Sequence, residues 1–212
     1  MVLFCHVTSR VEADKDQGLL QEKGGRGFPY LVWMDAEGNV LAKQGERTVA
    51  GFEKTRTNLV AFAEMDAKFQ KGDKAAGIDA LIAGMELGRY TADDAAKMLP
   101  KLGKIPADKQ KKIDGMLVNA EVDKLSTTVR NKEQAAEAGR KFVEMEKAGK
   151  IPTGRTALSF YSMMLETHEA DKDVKAFEKT LETLKKLVEG ERNAAAVIKR
   201  YEATLEKMKA GG

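Results

Sequence analysis

A chain of 212 residues, 42% hydrophobic and 33% charged, is long enough for one globular domain or two small ones. Its 36 basic and 33 acidic residues leave a net charge of only +3, and the two signs are interspersed, which argues against a nucleic-acid-binding surface. No apolar run approaches the about 20 residues of a membrane span, and with Cys5 the only cysteine an intrachain disulfide and a four-cysteine zinc site are both excluded.

In chain order, "MVLFCHVTSR" has no basic leader and no small-residue cleavage site. The chain as written is therefore expected in the cytoplasm, and a periplasmic or exported protein would need a longer precursor. Within that stretch, "VLFCHV" has the β-branched and aromatic content of a buried strand. "DKDQGLLQEKGG" reads as a short helix stopping at Gly24-Gly25. "YLVWMD" is a second strand, Gly38-Asn39 form a turn, and "VLAKQ" returns antiparallel. A helix follows from "VAGFEK", with Phe52, Leu59, Val60, Phe62 and Ala63 close to helical spacing. The order is β-α-β-β-α.

After about residue 66 the strand signals stop, and alanine, lysine and glutamate dominate. Helices are predicted over 74–88, 91–102, 107–126, 131–148, 154–168, 171–189 and 191–209. Thr91 with Asp94, and Asn131 with Gln134, have the spacing of capping boxes. Pro106 and Pro152 suit first-turn positions. The clearest amphipathic stripe is Phe177, Leu181, Leu184, Leu187 and Val188. "GKIP" occurs at 103–106 and again 46 residues later, a spacing found in paired-helix repeats. The expected fold class is thus an α/β unit over residues 1–66 followed by an all-α unit over 67–212. The second unit would be built as stacked helical hairpins, similar to tetratricopeptide arrays but without their consensus residues.

"GGRGFPYLVWMDAEGNVLAK" resembles the second half of a thioredoxin-like domain. There a helix ends in glycine, a cis-proline follows a hydrophobic residue, and a hairpin leads into the last helix. Gly27-Phe28-Pro29-Tyr30 match the cis-proline segment, while Tyr30 to Met34 and Val40 to Lys43 match the hairpin. "VLFCHV" would be the strand before that helix. The resemblance covers residues 1–66 and lacks the family's Cys-x-x-Cys, so dithiol–disulfide exchange within this chain is excluded. The strand that separates "VLFCHV" from "YLVWM" in the family also has no counterpart. Direct pairing of these two strands, or pairing with a second chain, would close the gap. A homodimer through this half-domain is the expectation.

Candidate sites follow from residue chemistry. Cys5 and His6 could form a nucleophilic or metal-binding pair, but neighbours on a strand point to opposite faces, and Cys5 is expected to be a buried small hydrophobe. An intermolecular Cys5 disulfide is the other option for that thiol. Phe28, Pro29 and Tyr30 correspond to the substrate-touching surface of thioredoxin-like proteins, so they are candidates for peptide binding or simply for orienting the hairpin. "EKGGRG", with Arg26, precedes a strand and lacks a phosphate-loop continuation. His168, beside Glu166 and Glu169, is expected on the surface near a helix C-terminus. Phe160, Tyr161, Met163 and Met164 are expected in the core rather than in an adaptable groove. The lysines of "KQKK" (109–112) are expected on a solvated face.

No catalytic residue, metal site or cofactor is assigned. The reading is a non-catalytic protein-interaction or scaffold module, partnered by itself and by another protein, with no nucleic-acid or membrane role. Two alternatives stay open. One is a fragment of a thioredoxin-like oxidoreductase whose active half is missing. The other is a glutathione-transferase-like enzyme, although "RTVAGFEKT" stands where that resemblance would require a Glu/Gln-Ser pair.

Overall fold

The computed structural model describes residues 2, 4–6, 15–190 and 194–211. The chain divides into two compact units, Met1–Gly103 and Lys104–Gly212. Among the described residues there are nine helices and one two-stranded sheet, a mixed α/β beginning followed by helices alone. No described helix is long and apolar enough to cross a membrane.

In the first unit, α1 (Leu19–Glu22) stops ahead of Gly24-Gly25 as the glycine pair predicts. The Phe28–Pro29 peptide is cis. Strands β1 (Val32–Met34) and β2 (Val40–Lys43) pair antiparallel, with Trp33 opposite Ala42 and Met34 opposite Val40, so Leu41 is the extra residue of a bulge. Asp35 holds the turn: its carboxylate accepts from the Asn39 backbone N–H at 2.7 Å and from Asn39 Nδ2 at 2.9 Å. Those bonds favour the ionised carboxylate and lower its pKa, the Asn39 side chain most. Trp33 seats the hairpin, donating from Nε1 to Gln44 Oε1 at 2.8 Å and meeting the ring of Phe52 at 6.2 Å.

The strand expected at "VLFCHV" is not there among the described residues. Phe4, Cys5 and His6 carry no strand, and Phe4 and Cys5 are exposed; Leu3 and Val7 lie outside the described residues. An apolar, β-branched run becomes a strand only when a neighbour satisfies its backbone N–H and C=O groups, and composition does not supply that neighbour. The described order is therefore α-β-β-α, without the leading strand.

Helix α2 (Val49–Gln70) starts at Thr48, whose Oγ1 accepts from Gly51 N at 3.0 Å. Of its expected apolar residues Phe62 is buried, whereas Val60 and Ala63 are exposed. Residue 66, where strand signals give way to helical ones, lies inside α2. This helix packs on α3 (Lys74–Glu86), and α3 on α4 (Ala92–Leu102), so the compact unit runs on to Gly103. A change of sequence texture marks where strands end, not where burial ends. Close packing here depends on Gly84, where a Cβ would sit 2.2 Å from Cδ2 of Tyr90. That ring meets Phe62 edge-on at 5.6 Å and its hydroxyl donates to Asp66 Oδ1 at 3.0 Å. Burial and the Asp66 carboxylate push the Tyr90 pKa up to about 12.

The Thr91/Asp94 capping box forms in full, with Asp94 N on Thr91 Oγ1 at 3.2 Å and Thr91 N on Asp94 Oδ2 at 3.0 Å. The second box is only half formed. Asn131 accepts from Gln134 N at 2.9 Å, but Gln134 Oε1 takes the N–H of Arg130, one residue early, at 2.8 Å. The prolines of the two "GKIP" copies stand just outside the first turn. Pro106 is itself the N-cap of α5 (Ala107–Thr128), and Pro152 precedes Thr153, the N-cap of α7.

The second unit continues with α6 (Lys132–Lys147), α7 (Gly154–Ala170), α8 (Val174–Leu187) and α9 (Ala194–Ala210). Each packs on the next, and α5 packs on α6 and α7. Short connections make neighbours antiparallel, as the pairs Lys185–Glu202 (2.6 Å) and Glu178–Lys209 (2.8 Å) across α8 and α9 record. The core is a continuous cluster in which Phe142, Phe160, Phe177, Leu165, Leu181 and Leu184 are almost wholly secluded. Phe160, Tyr161 and Met164 are buried as expected and Met163 is half-buried. The α8 stripe holds at Phe177, Leu181 and Leu184, and Val188, just past the last helical residue, is half-buried against the same core, whereas Leu187 is 40% exposed.

Candidate functional site

The Phe28-Pro29-Tyr30 segment is tied to both of its flanks. Tyr30 donates from its hydroxyl to Lys23 O at 2.7 Å, at the end of α1, and Arg47 Nη2 donates to Pro29 O at 3.1 Å. Lys43 Nζ lies 5.9 Å from the centre of the Tyr30 ring. Tyr30 is half-buried, while Phe28, 65% exposed, points outward. Arg26 is exposed in the loop after α1.

Cys5 departs from its expected place: the thiol is exposed rather than buried. The rings of Phe4 and His6, on either side of it in sequence, lie 6.4 Å apart and nearly parallel. Among the described residues no group of histidine, cysteine, aspartate and glutamate side chains is arranged to hold a metal ion.

His168 also departs from expectation. It is 7% exposed, not a surface residue. The physical reason is its register, since Ala157, Tyr161, Met164, Leu165 and His168 fall at helical spacing on the buried stripe of α7. That spacing was readable in the sequence, and the polar residue type masked it. Burial lowers the imidazole pKa, partly opposed by the charges of Asp173, Asp171 and Glu146.

Glu166 and Glu169, three apart on α7, turn away from His168 into a cavity of ≈ 470 Å³. Three elements build it. The start of α6 supplies Lys132, preceded by Arg130, α7 supplies the two carboxylates, and α9 supplies Arg200 and Tyr201. Lys132 Nζ lies 2.7 Å from Glu169 Oε1 and 3.6 Å from Glu166 Oε2. The hydrogen bond to Glu169, above all, raises the ammonium pKa. Arg200 Nη2 and the Tyr201 hydroxyl each approach Glu166 Oε1 at 3.5 Å, and the guanidinium lies 4.6 Å from the centre of the Tyr201 ring.

Glu166 is the unusual member. Its Oε2 is secluded from solvent and has no hydrogen-bond partner. Its basic and hydroxyl neighbours stand at 3.5 to 3.6 Å, outside the 2.7 to 3.2 Å range of a good bond. Arg130, by contrast, donates to Thr127 O at 2.7 Å and to Val129 O at 3.1 Å. Of this constellation only Glu166 and Glu169 stand close together in the sequence. The basic residues are scattered over about 70 positions, and no linear spacing links them.

The arrangement can bind by charge and hydrogen bonding. Comparison of the chain with protein-family models, curated proteins and solved structures finds no match.

Proposed function

We propose that this protein is a non-catalytic interaction module. Residues 1–66 are the later half of a thioredoxin-like domain, and α6 to α9 stack in the manner of tetratricopeptide-type hairpins. The observation that carries the reading is the charged cavity held among α6, α7 and α9 of the second unit. Paired helices present such surfaces to other proteins. The test uses the full chain, immobilised and exposed to lysate of its source cells. A protein partner should be retained, and Arg130→Glu combined with Arg200→Glu should release it. No retained partner, together with turnover in a glutathione-conjugation assay, would replace the module with an enzyme.

Self-association through the first unit belongs to the same proposal. A two-stranded sheet is marginal alone, and Leu31, Val32, Trp33, Met34, Val40 and Leu41 of this hairpin are all only half-buried. Light scattering at high micromolar concentration should give twice the 23.3 kDa chain mass. A monomer at that concentration removes the dimer.

A further inference from the structure

We propose that the cavity between α6, α7 and α9 receives an acidic peptide segment, whose carboxylates pair with Arg130 and Arg200 and whose backbone N–H groups donate to Glu166. The inference rests on the interaction-module reading above and names the chemistry of the partner.

Two observations on opposite sides of the cavity set that chemistry. At the rim, three basic side chains face two carboxylates, so the first charge an incoming group meets is positive. The side chains of Lys132 and Arg200 are 63% and 66% exposed, and Arg130 is exposed as well. A carboxylate can approach each guanidinium with paired N–H···O bonds, the geometry in which arginine binds most strongly. Lys132 is already committed to Glu169 at 2.7 Å, and Arg130 uses Nη1 on two backbone carbonyls, which leaves Arg200 and the other guanidinium nitrogens of Arg130 for recognition.

At the floor the need is reversed. Glu166 lacks close donors: its Oε2 is closed off from solvent, and Oε1, the oxygen left to an entering N–H, has Arg200 and Tyr201 only at 3.5 Å. A carboxylate in such a place is stabilised by any N–H that reaches it. A ligand that is only an anion satisfies the rim and worsens the floor. A basic peptide would satisfy the floor but must first pass three cations. An acidic peptide meets both demands, because every residue carries a backbone N–H and only its side chains carry charge. The ≈ 470 Å³ cavity is of a size to hold a few residues of such a segment. The Glu166–Arg200 contact that it would replace is long, at 3.5 Å, and partly exposed, so little is lost on entry.

The experiment is a fluorescence-anisotropy titration of the full chain with a labelled, end-blocked peptide of alternating glutamate and glycine, and with a matched lysine–glycine peptide. Saturable binding of the glutamate peptide is expected, weakening as salt rises. Arg130→Glu with Arg200→Glu should weaken it at least tenfold while the helical circular-dichroism signal is kept. If that variant does not fold, Arg130→Gln with Arg200→Gln should weaken it severalfold. Lys175→Glu with Lys179→Glu makes the same charge change on exposed positions of α8 outside the cavity, and should leave affinity within twofold. An equal loss in the α8 variant, or no binding of the glutamate peptide, overturns the inference. Preferred binding of the lysine peptide overturns the inference but keeps the interaction module. If neither peptide binds and no partner is captured, both fall.

Discussion

Replacing Gly139 by alanine should destabilise the second unit by about 2 kcal/mol, although alanine is the better helix former by about 1 kcal/mol. A Cβ at this position would stand 2.0 Å from Met163 O, 2.2 Å from Thr167 Oγ1 and 2.6 Å from Met163 C. Two of these atoms belong to the α7 backbone, which cannot rotate aside as a flexible side chain can. Helices α6 and α7 would have to separate, and the buried bond from Thr167 Oγ1 to Ala136 O, 2.6 Å long, would open with them. Gly115 provides the control. It lies inside α5 with no atom within 4 Å of an added Cβ, so Gly115→Ala should gain up to about 1 kcal/mol from propensity alone. Urea unfolding should be followed by circular dichroism, because the single tryptophan, Trp33, belongs to the first unit. Equal shifts for the two variants would show that the close approach at Gly139 carries no energetic weight.

Phe160→Ala should cost about 3 to 5 kcal/mol, the range for removing a fully buried aromatic ring from a packed core. Phe160 has no solvent exposure, stacks on Phe142 at 5.0 Å and meets Tyr161 edge-on at 5.2 Å. Its removal leaves a cavity at the α6–α7 contact and takes away the aromatic pair. The same truncation at Phe28, 65% exposed, should stay within about 0.5 kcal/mol. Calorimetry of both variants would decide the matter, and a loss below about 1 kcal/mol at Phe160 would mean that the core collapses around the gap.

Most of the helical part of the chain was legible because its signals are local. Thr91 with Asp94 fixes a helix start within four residues, and the Phe177, Leu181 and Leu184 stripe needs only one helix to be recognised. The hairpin was legible for the same reason, since Asp35, Gly38 and Asn39 make their turn by contacts among themselves. Dispersed partners defeated the reading. Gln134 takes the N–H of Arg130 rather than that of Asn131, a difference of one residue that the spacing alone does not encode. His168 was judged by residue type, while its exposure follows from the stripe it shares with Tyr161 and Met164.

Helix starts, helix stops and the β-turn are thus written in neighbouring residues, because capping bonds and turn geometry span only a few positions. The end of the first compact unit at Gly103, the burial of His168 and the charged cavity were decided by tertiary packing alone. Each depends on which helix lies against which, and the free energy of that choice comes from apolar area removed from water, summed over residues far apart in the chain. Glu166, Lys132 and Arg200 become one site only after α6, α7 and α9 have buried their apolar faces together.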